Sequence, residues 1–254
     1  MPSVKLGTFL MQTVVDRAES NAFTACFVGR RGTGKSWAVR QLMHDLHKDR
    51  GAGAVYSPTE DSSSFYESFI PPLFIHGEVD IGSIQKLIAS QKQRAERGDR
   101  TKQITLVFDD CMFDPRFLRS NVIRSLFMNG RHYCINVILC TQYVVDMPTN
   151  IRSQLDFVSL MRENSPSIVQ KLFCNFGNSF NAKQFADVLN TATEQVGSAL
   201  AIDNVNCTSG IFTSTELTGF RCFNPKYWSY ASKHTSSKTS DVITAANGTL
   251  VRKA

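Results

Sequence analysis

Short unbroken apolar runs alternate with amphipathic stretches along most of this chain. Phe23-Thr-Ala-Cys-Phe-Val28 is apolar, aromatic and β-branched over a strand's length, and predicts a strand. Trp37 to Asp49 carries apolar residues at helical spacing on Ala38, Leu42, Met43 and Leu46, and predicts the helix that follows. Ala52 to Ser57 predicts a second strand ended by Pro58, and Leu73 to His76 is a short apolar segment behind Pro71-Pro72. From Ile81 to Arg97, Ile84, Leu87 and Ile88 mark the buried side of a helix that Gly98-Asp99 stops. Ile104 to Phe108 and Ile135 to Thr141 are apolar almost throughout, the pattern of strands covered on both faces in the middle of a parallel sheet. Leu155 to Met161 and Ala199 to Asp203 are further candidate strands, with helical patterns between them at Ile168 to Cys174 and Phe185 to Thr191.

Strands alternating with helices predict an α/β fold of three layers around a central, mostly parallel sheet. With 254 residues, 42% of them hydrophobic, the chain can bury one substantial core. The expected organisation is one domain over 1–231, its lead-in at 1–21, and a flexible Ser/Thr/Lys-rich tail over 232–254, where large apolar residues become scarce. No internal repeat is visible. No apolar stretch reaches membrane-spanning length and the N-terminus lacks a secretory layout, so a soluble, intracellular protein is expected. The seven cysteines, Cys26, Cys111, Cys134, Cys140, Cys174, Cys207 and Cys222, are scattered, form no C-x-x-C pair and read as buried thiols, which suits a reducing compartment and offers no zinc site.

The turn between the first strand and its helix adds chemistry. Gly29-Arg30-Arg31-Gly32-Thr33-Gly34-Lys35-Ser36 matches the phosphate-cradling pattern G-x-x-x-x-G-K-[ST] at every fixed position, in the strand, loop, helix context that it requires. Its glycines let backbone N–H groups turn inward around a polyphosphate, and the helix N-terminus adds its dipole. Lys35 should meet the β- and γ-phosphates of ATP, and the Ser36 hydroxyl should bind Mg²⁺. The bland rival is a glycine-rich turn carrying an exposed lysine.

Two later strands end in polar groups where ligands of parallel sheets sit, beyond the carboxyl ends. The first of them ends in Asp109-Asp110, which resembles a Walker B motif. Asp109 would reach the Mg²⁺ region, and Asp110 could orient or deprotonate a water, although Glu is more usual at that place. Ile135 to Thr141 ends in Gln142, whose amide could report on the γ-phosphate without carrying charge. The rivals are acids that only end a strand and an inconsequential loop glutamine.

A net charge of +6 and a pI near 9.0 suit a polyanionic partner as well as a merely basic surface. Lys86, Lys92, Arg94, Arg97, Arg100 and Lys102 are the candidate phosphate contacts, with a solvated helix face as the plainer reading. No nuclease constellation is visible: there is no convincing cluster of acids beyond Asp109, Asp110 and Asp114, which are taken up by the nucleotide reading.

The P-loop with Arg30-Arg31, the segment Tyr56-Ser-Pro-Thr-Glu60, the Asp109-Asp110 strand end, Asn129-Gly-Arg-His132 leading into Ile135 to Gln142, and Pro148 to Ser153 occur in one order. Together, over about Ala22 to Tyr230, they resemble the genome packaging ATPases of large double-stranded DNA viruses, a poxvirus-like group placed with the FtsK and HerA translocases. The resemblance implies a RecA-like P-loop NTPase of the ASCE type, with an extra strand between the P-loop strand and the Walker B strand. It implies an ATPase that forms a homo-oligomeric ring at a capsid or portal protein and drives duplex DNA into a preformed shell without reading sequence. Lys35 and Ser36 then serve phosphate and Mg²⁺, Asp109 the Mg²⁺, Asp110 catalysis, and Gln142 sensing. A ring enzyme needs a cation from the neighbouring subunit at the γ-phosphate, for which Arg131 and Arg152 are candidates, with Arg30 and Arg31 as cis alternatives. The expected location is the host cytoplasm at assembly sites, and the virion.

The rival functions are a P-loop nucleoside or nucleotide kinase, a structural virion component that binds ATP without turnover, and a cellular or plasmid DNA pump. Ser57-Pro58-Thr59 at the end of the second strand departs from the acidic pair that such kinases place there.

Overall fold

The computed structural model describes residues 6–46, 53–99, 103–114, 116–143, 147–177, 180–214, 217, 222, 242–244 and 250–252. In chain order, β1 (Gly7–Thr8) and α1 (Gln12–Ser20) precede β2 (Thr24–Val28), and α2 (Lys35–Leu46) leads to β3 (Ala54–Tyr56), the short α3 (Glu60–Ser63) and β4 (Ile75–His76). Then come α4 (Ile81–Glu96), β5 (Ile104–Asp109), α5 (Asn121–Asn129) and β6 (Ile135–Thr141). α6 (Thr149–Arg152), β7 (Phe157–Leu160), α7 (Pro166–Phe176) and α8 (Ala182–Ala192) follow, and β8 (Ser198–Asp203) and β9 (Thr208–Thr213) complete a nine-stranded sheet. In the tail, β10 (Val242–Thr244) and β11 (Leu250–Arg252) pair antiparallel with each other. The rest of the stretch expected to be flexible, like Arg100 and Lys102 of the basic patch, lies outside the described residues.

The sheet runs β1-β9-β8-β7-β2-β6-β5-β3-β4. From β7 across to β4 every neighbouring pair is parallel, and β8 turns the sheet antiparallel at the β7 edge. β6 separates β2, which feeds the P-loop, from β5, which ends in the acids. That is the extra strand of the expected class, and it places the ends of three adjacent strands side by side.

Alternation along the strands explains the layers. Ile104, Leu106 and Phe108 enter one core with Ile135, Val137 and Leu139, packing against α4, α5, α7 and α8 through Ile84, Leu126, Leu172 and Phe185. Val107, Ile138 and Cys140 enter the opposite core, against Val14 and Ala18 of α1 and Ala38, Val39 and Leu42 of α2. With both faces covered, every residue of β2, β5, β6 and β7 is buried, which is why these runs lack a polar alternate. The polar residue inside β6 is satisfied: Asn136 Oδ1 accepts from the Phe23 N–H at 3.2 Å, while its Nδ2 donates to Thr105 Oγ1 at 3.3 Å.

One expectation needs correction. Cys174 and Cys207 are exposed, the first on α7 and the second in the β8–β9 turn, so the thiols are not all buried. The basic face of α4 is partly self-neutralised, because Arg94 pairs with Asp99 at 2.5 Å and keeps only 11% exposure, and Lys92 lies 4.0 Å from Glu96. Lys86 and Arg97 remain exposed.

Candidate functional site

The P-loop grows out of β2 by a backbone bond from the Gly29 N–H to Thr141 O of β6 at 3.1 Å. Gly32 and Gly34 take φ of +79° and +99°, which side chains resist, and this turns the loop back on itself. Thr33 Oγ1 donates to Arg30 O at 2.8 Å and closes the turn. α2 opens with the Ala38 N–H on Gly34 O, so the N–H groups just ahead of it, those of Lys35, Ser36 and Trp37, point out of the helix end. N–H groups so directed, at the positive end of a helix dipole, can hold an anion. Lys35, only 7% exposed, donates from Nζ to Gly29 O at 2.7 Å and Arg30 O at 3.1 Å, which holds its charge at the mouth of the loop.

The acids of β5 meet this loop across β6. Ser36 Oγ donates to Asp109 Oδ2 at 3.3 Å, so the two groups expected to share Mg²⁺ are already neighbours. A hydroxyl and a carboxylate are hard oxygen donors of the kind Mg²⁺ takes beside phosphate oxygens and water, and the pair fits that ion. Among the described residues no three His, Cys, Asp or Glu side chains form a metal-holding group, so a cation here would depend on phosphate oxygens for the rest of its shell. Asp109 is pushed above the ordinary carboxylate range, mainly by burial, with Asp110 adding to the rise and Tyr66, Lys35 and Ser36 opposing it.

Asp110 follows in the left-handed region at φ +52°, a conformation that Asp tolerates better than most residues. Its carboxylate accepts from Gln142 Nε2 at 3.1 Å. The two polar groups at the ends of β5 and β6 are therefore one hydrogen-bonded pair beside the loop. Val28, Gly29 and Gln142 also line a small cavity there with Glu163 and Lys171.

The arginines divide. Arg30 reaches Glu163 at 4.0 Å while remaining 60% exposed, and Arg31 is exposed. Arg131 lies 3.9 Å from Asp156, which also accepts from the Thr24 N–H at the first residue of β2. Thr24 and the first P-loop residue, Gly29, are five residues apart along an extended strand, about 16 Å, so Arg131 is remote from the phosphate loop of its own chain. Arg152 bonds Met147 O at 3.5 Å and Thr149 Oγ1 at 3.3 Å within the segment leading to β7.

Two neighbours of the site escaped the sequence reading. Tyr66 lies in a 3₁₀ turn with no periodic pattern, and Glu163, 4% exposed, is a lone acid after β7 whose Oε1 accepts from the Ser165 N–H at 2.7 Å. Neither carries a motif, and only three-dimensional proximity reveals them.

A parallel sheet with an extra strand between a G-x-x-x-x-G-K-S loop and a strand ending in two acids defines a RecA-like P-loop NTPase fold of the ASCE type. Residues 13–211 match the family described as Poxvirus A32 protein, and the chain belongs to that family. Among its relatives are protein 075L of Invertebrate iridescent virus 6, 35% identical over 177 residues that cover 70% of this chain and 69% of the relative, and protein 015R of Frog virus 3 (isolate Goorha), 29% identical over 220 residues that cover 83% and 68%. The fold is similar to that of the genome packaging NTPase B204 from Sulfolobus turreted icosahedral virus 2 in complex with AMPPCP, with a TM-score of 0.57 and 16% identity, covering 76% of this chain and 98% of B204. It is also similar to the pCW3 conjugation coupling protein TcpA with ATPγS, with a TM-score of 0.59 and 14% identity, covering 87% of this chain and 66% of TcpA.

Proposed function

We propose that this chain is an ATP-driven translocase that packages double-stranded viral DNA into a preformed capsid. The observation that carries the reading is the convergence of Lys35, Ser36, Asp109, Asp110 and Gln142 at the carboxyl ends of the adjacent strands β2, β6 and β5, in a chain of the Poxvirus A32 protein family. Its fold neighbours include a packaging NTPase and a conjugation coupling protein, each solved with an ATP analogue, which favours a nucleotide-driven motor over a kinase.

In this reading the loop N–H groups and Lys35 bind the β- and γ-phosphates of ATP, and Ser36 and Asp109 hold Mg²⁺. Bound there, Mg²⁺ would neutralise charge on the phosphate oxygens. Asp110 accepts a proton from the attacking water, and Gln142 holds that carboxylate in place and senses the γ-phosphate. A neighbouring subunit of a homo-oligomeric ring supplies Arg131 or Arg152, while Arg30 and Arg31 are the cis alternatives. Duplex DNA is gripped through phosphates, because a motor that moves along a whole genome cannot depend on base edges. The capsid or portal protein is the stationary partner, at assembly sites in the host cytoplasm and in the virion. No described helix is long and apolar enough to cross a membrane.

The test is steady-state ATP hydrolysis by the purified chain beside Lys35→Ala and Asp110→Asn. Turnover that disappears in both, with ATP binding retained in Asp110→Asn, supports the assignment. Tight ATP binding with no turnover at any DNA concentration points to the structural, non-catalytic alternative.

A further inference from the structure

Asp109 has a second partner that no phosphate-loop motif predicts. The Tyr66 hydroxyl donates to Asp109 Oδ2 at 2.8 Å, the oxygen that Ser36 Oγ also approaches. Tyr66 is 1% exposed, so this is a buried, charge-assisted bond and not a solvent contact. It arrives from the segment between β3 and β4, which the P-loop and the acid strand do not include.

That segment is fastened to α2 as well. Phe65 meets Trp37, the residue after Ser36, edge to face with ring centroids 6.0 Å apart. The Arg40 guanidinium lies 5.0 Å from the Phe69 ring centre and 5.4 Å from that of Trp37. One short segment therefore holds Asp109 through a hydrogen bond and packs its rings against Trp37 and Arg40 of α2, the helix that carries Ser36.

We infer that Tyr66 is a positioning residue for Mg²⁺, fixing the Asp109 carboxylate at Oδ2, the oxygen that Ser36 Oγ also approaches. The inference rests on the reading of Ser36 and Asp109 as the Mg²⁺ site. A carboxylate held at one oxygen loses less rotamer freedom when it engages a cation, and partners of this outer kind set metal affinity.

The experiment is a Mg²⁺ titration of fluorescent ATP-analogue binding to the full chain, repeated without Mg²⁺ in EDTA. Tyr66→Phe removes one oxygen and keeps the ring, so it should raise the Mg²⁺ concentration for half-maximal binding by about 10-fold while leaving binding in EDTA unchanged. Phe69→Leu thins the same aromatic packing and retains the hydroxyl, and should keep the wild-type Mg²⁺ requirement. Ligand-free unfolding of each variant confirms that folded protein is compared. An unchanged requirement in folded Tyr66→Phe, or an equal shift in Phe69→Leu, overturns the role of Tyr66 alone. Wild-type binding that is indifferent to Mg²⁺ overturns the cation site itself, and the inference with it.

Discussion

Gln142 Nε2 donates to Asp110 Oδ2 at 3.1 Å, tying together the ends of the two adjacent strands β5 and β6. The bond couples a carboxylate suited to proton transfer with an amide that can also meet a phosphate oxygen, and Asp110 itself stands in a left-handed backbone conformation. Gln142→Ala should leave ATP affinity within about two-fold and lower turnover by about 10-fold, less than the 10²-fold or greater loss expected of Asp110→Asn, because a positioner costs less than the base. Filter binding and steady-state hydrolysis measure the two effects separately.

The P-loop glycines are not equivalent. A Cβ on Gly34 would stand 2.9 Å from Gly197 Cα, while one on Gly32 would meet nothing within 4 Å, although both residues have positive φ. Gly32→Ala should cost about 1 kcal/mol from backbone conformation alone. Gly34→Ala must also push back the turn before β8, and should cost about 3 kcal/mol. Denaturant unfolding of the two variants without nucleotide should rank them in that order.

Asp109 yields a pH-dependent prediction. Burial raises its pKa above the ordinary 3.8, so the folded chain holds this proton more tightly than the unfolded chain does. Its ionised form therefore costs stability above the raised pKa, and the cost fades as pH falls toward the ordinary value. Asp109→Asn should raise the ligand-free melting temperature at neutral pH, by about 2–4 °C if the cost is about 1 kcal/mol, with little gain near pH 3.8. The same variant should lose Mg²⁺-dependent nucleotide binding. Melting curves across this pH range, with and without Mg²⁺ and ATP, give both readouts.

Arg131 is 34% exposed and pairs with Asp156 at 3.9 Å, so its truncation should cost no more than about 1 kcal/mol. Arg131→Ala and Arg152→Ala should each leave nucleotide binding intact. Whichever arginine serves a neighbour's site should lose turnover by about 10³-fold. Mixing that variant with Lys35→Ala subunits should restore part of the activity, since each then supplies what the other lacks. Restoration by neither mixture removes both from the trans role.

Much of the fold could be read from burial patterns. β2, β5 and β6 are covered on both faces, so they appear as unbroken apolar runs, and the ligand side of the sheet then follows from Lys35, Asp109 and Gln142 at its strand ends. α1 and β9 were not legible. α1 buries only Val14, Val15 and Ala18 within Gln12–Ser20, and β9, Thr-Ser-Gly-Ile-Phe-Thr, is half exposed near the sheet edge. Part of the basic character of α4 is offset in a way its own sequence does not show, since Asp99 lies beyond the helix and only the folded turn at Gly98 brings it to Arg94. Tyr66 and Glu163 act by proximity between distant segments, which no local spacing encodes.

If ATP chemistry at these strand ends serves duplex DNA, hydrolysis must respond to it. The most direct measurement is ATP hydrolysis with and without long duplex DNA of unrelated sequences, at low and moderate salt. Duplex DNA should stimulate turnover whatever its sequence, less so as salt rises and not at all in Lys35→Ala. Turnover that is unchanged by duplex DNA at either salt, or that rises with a nucleoside acceptor instead, would contradict it.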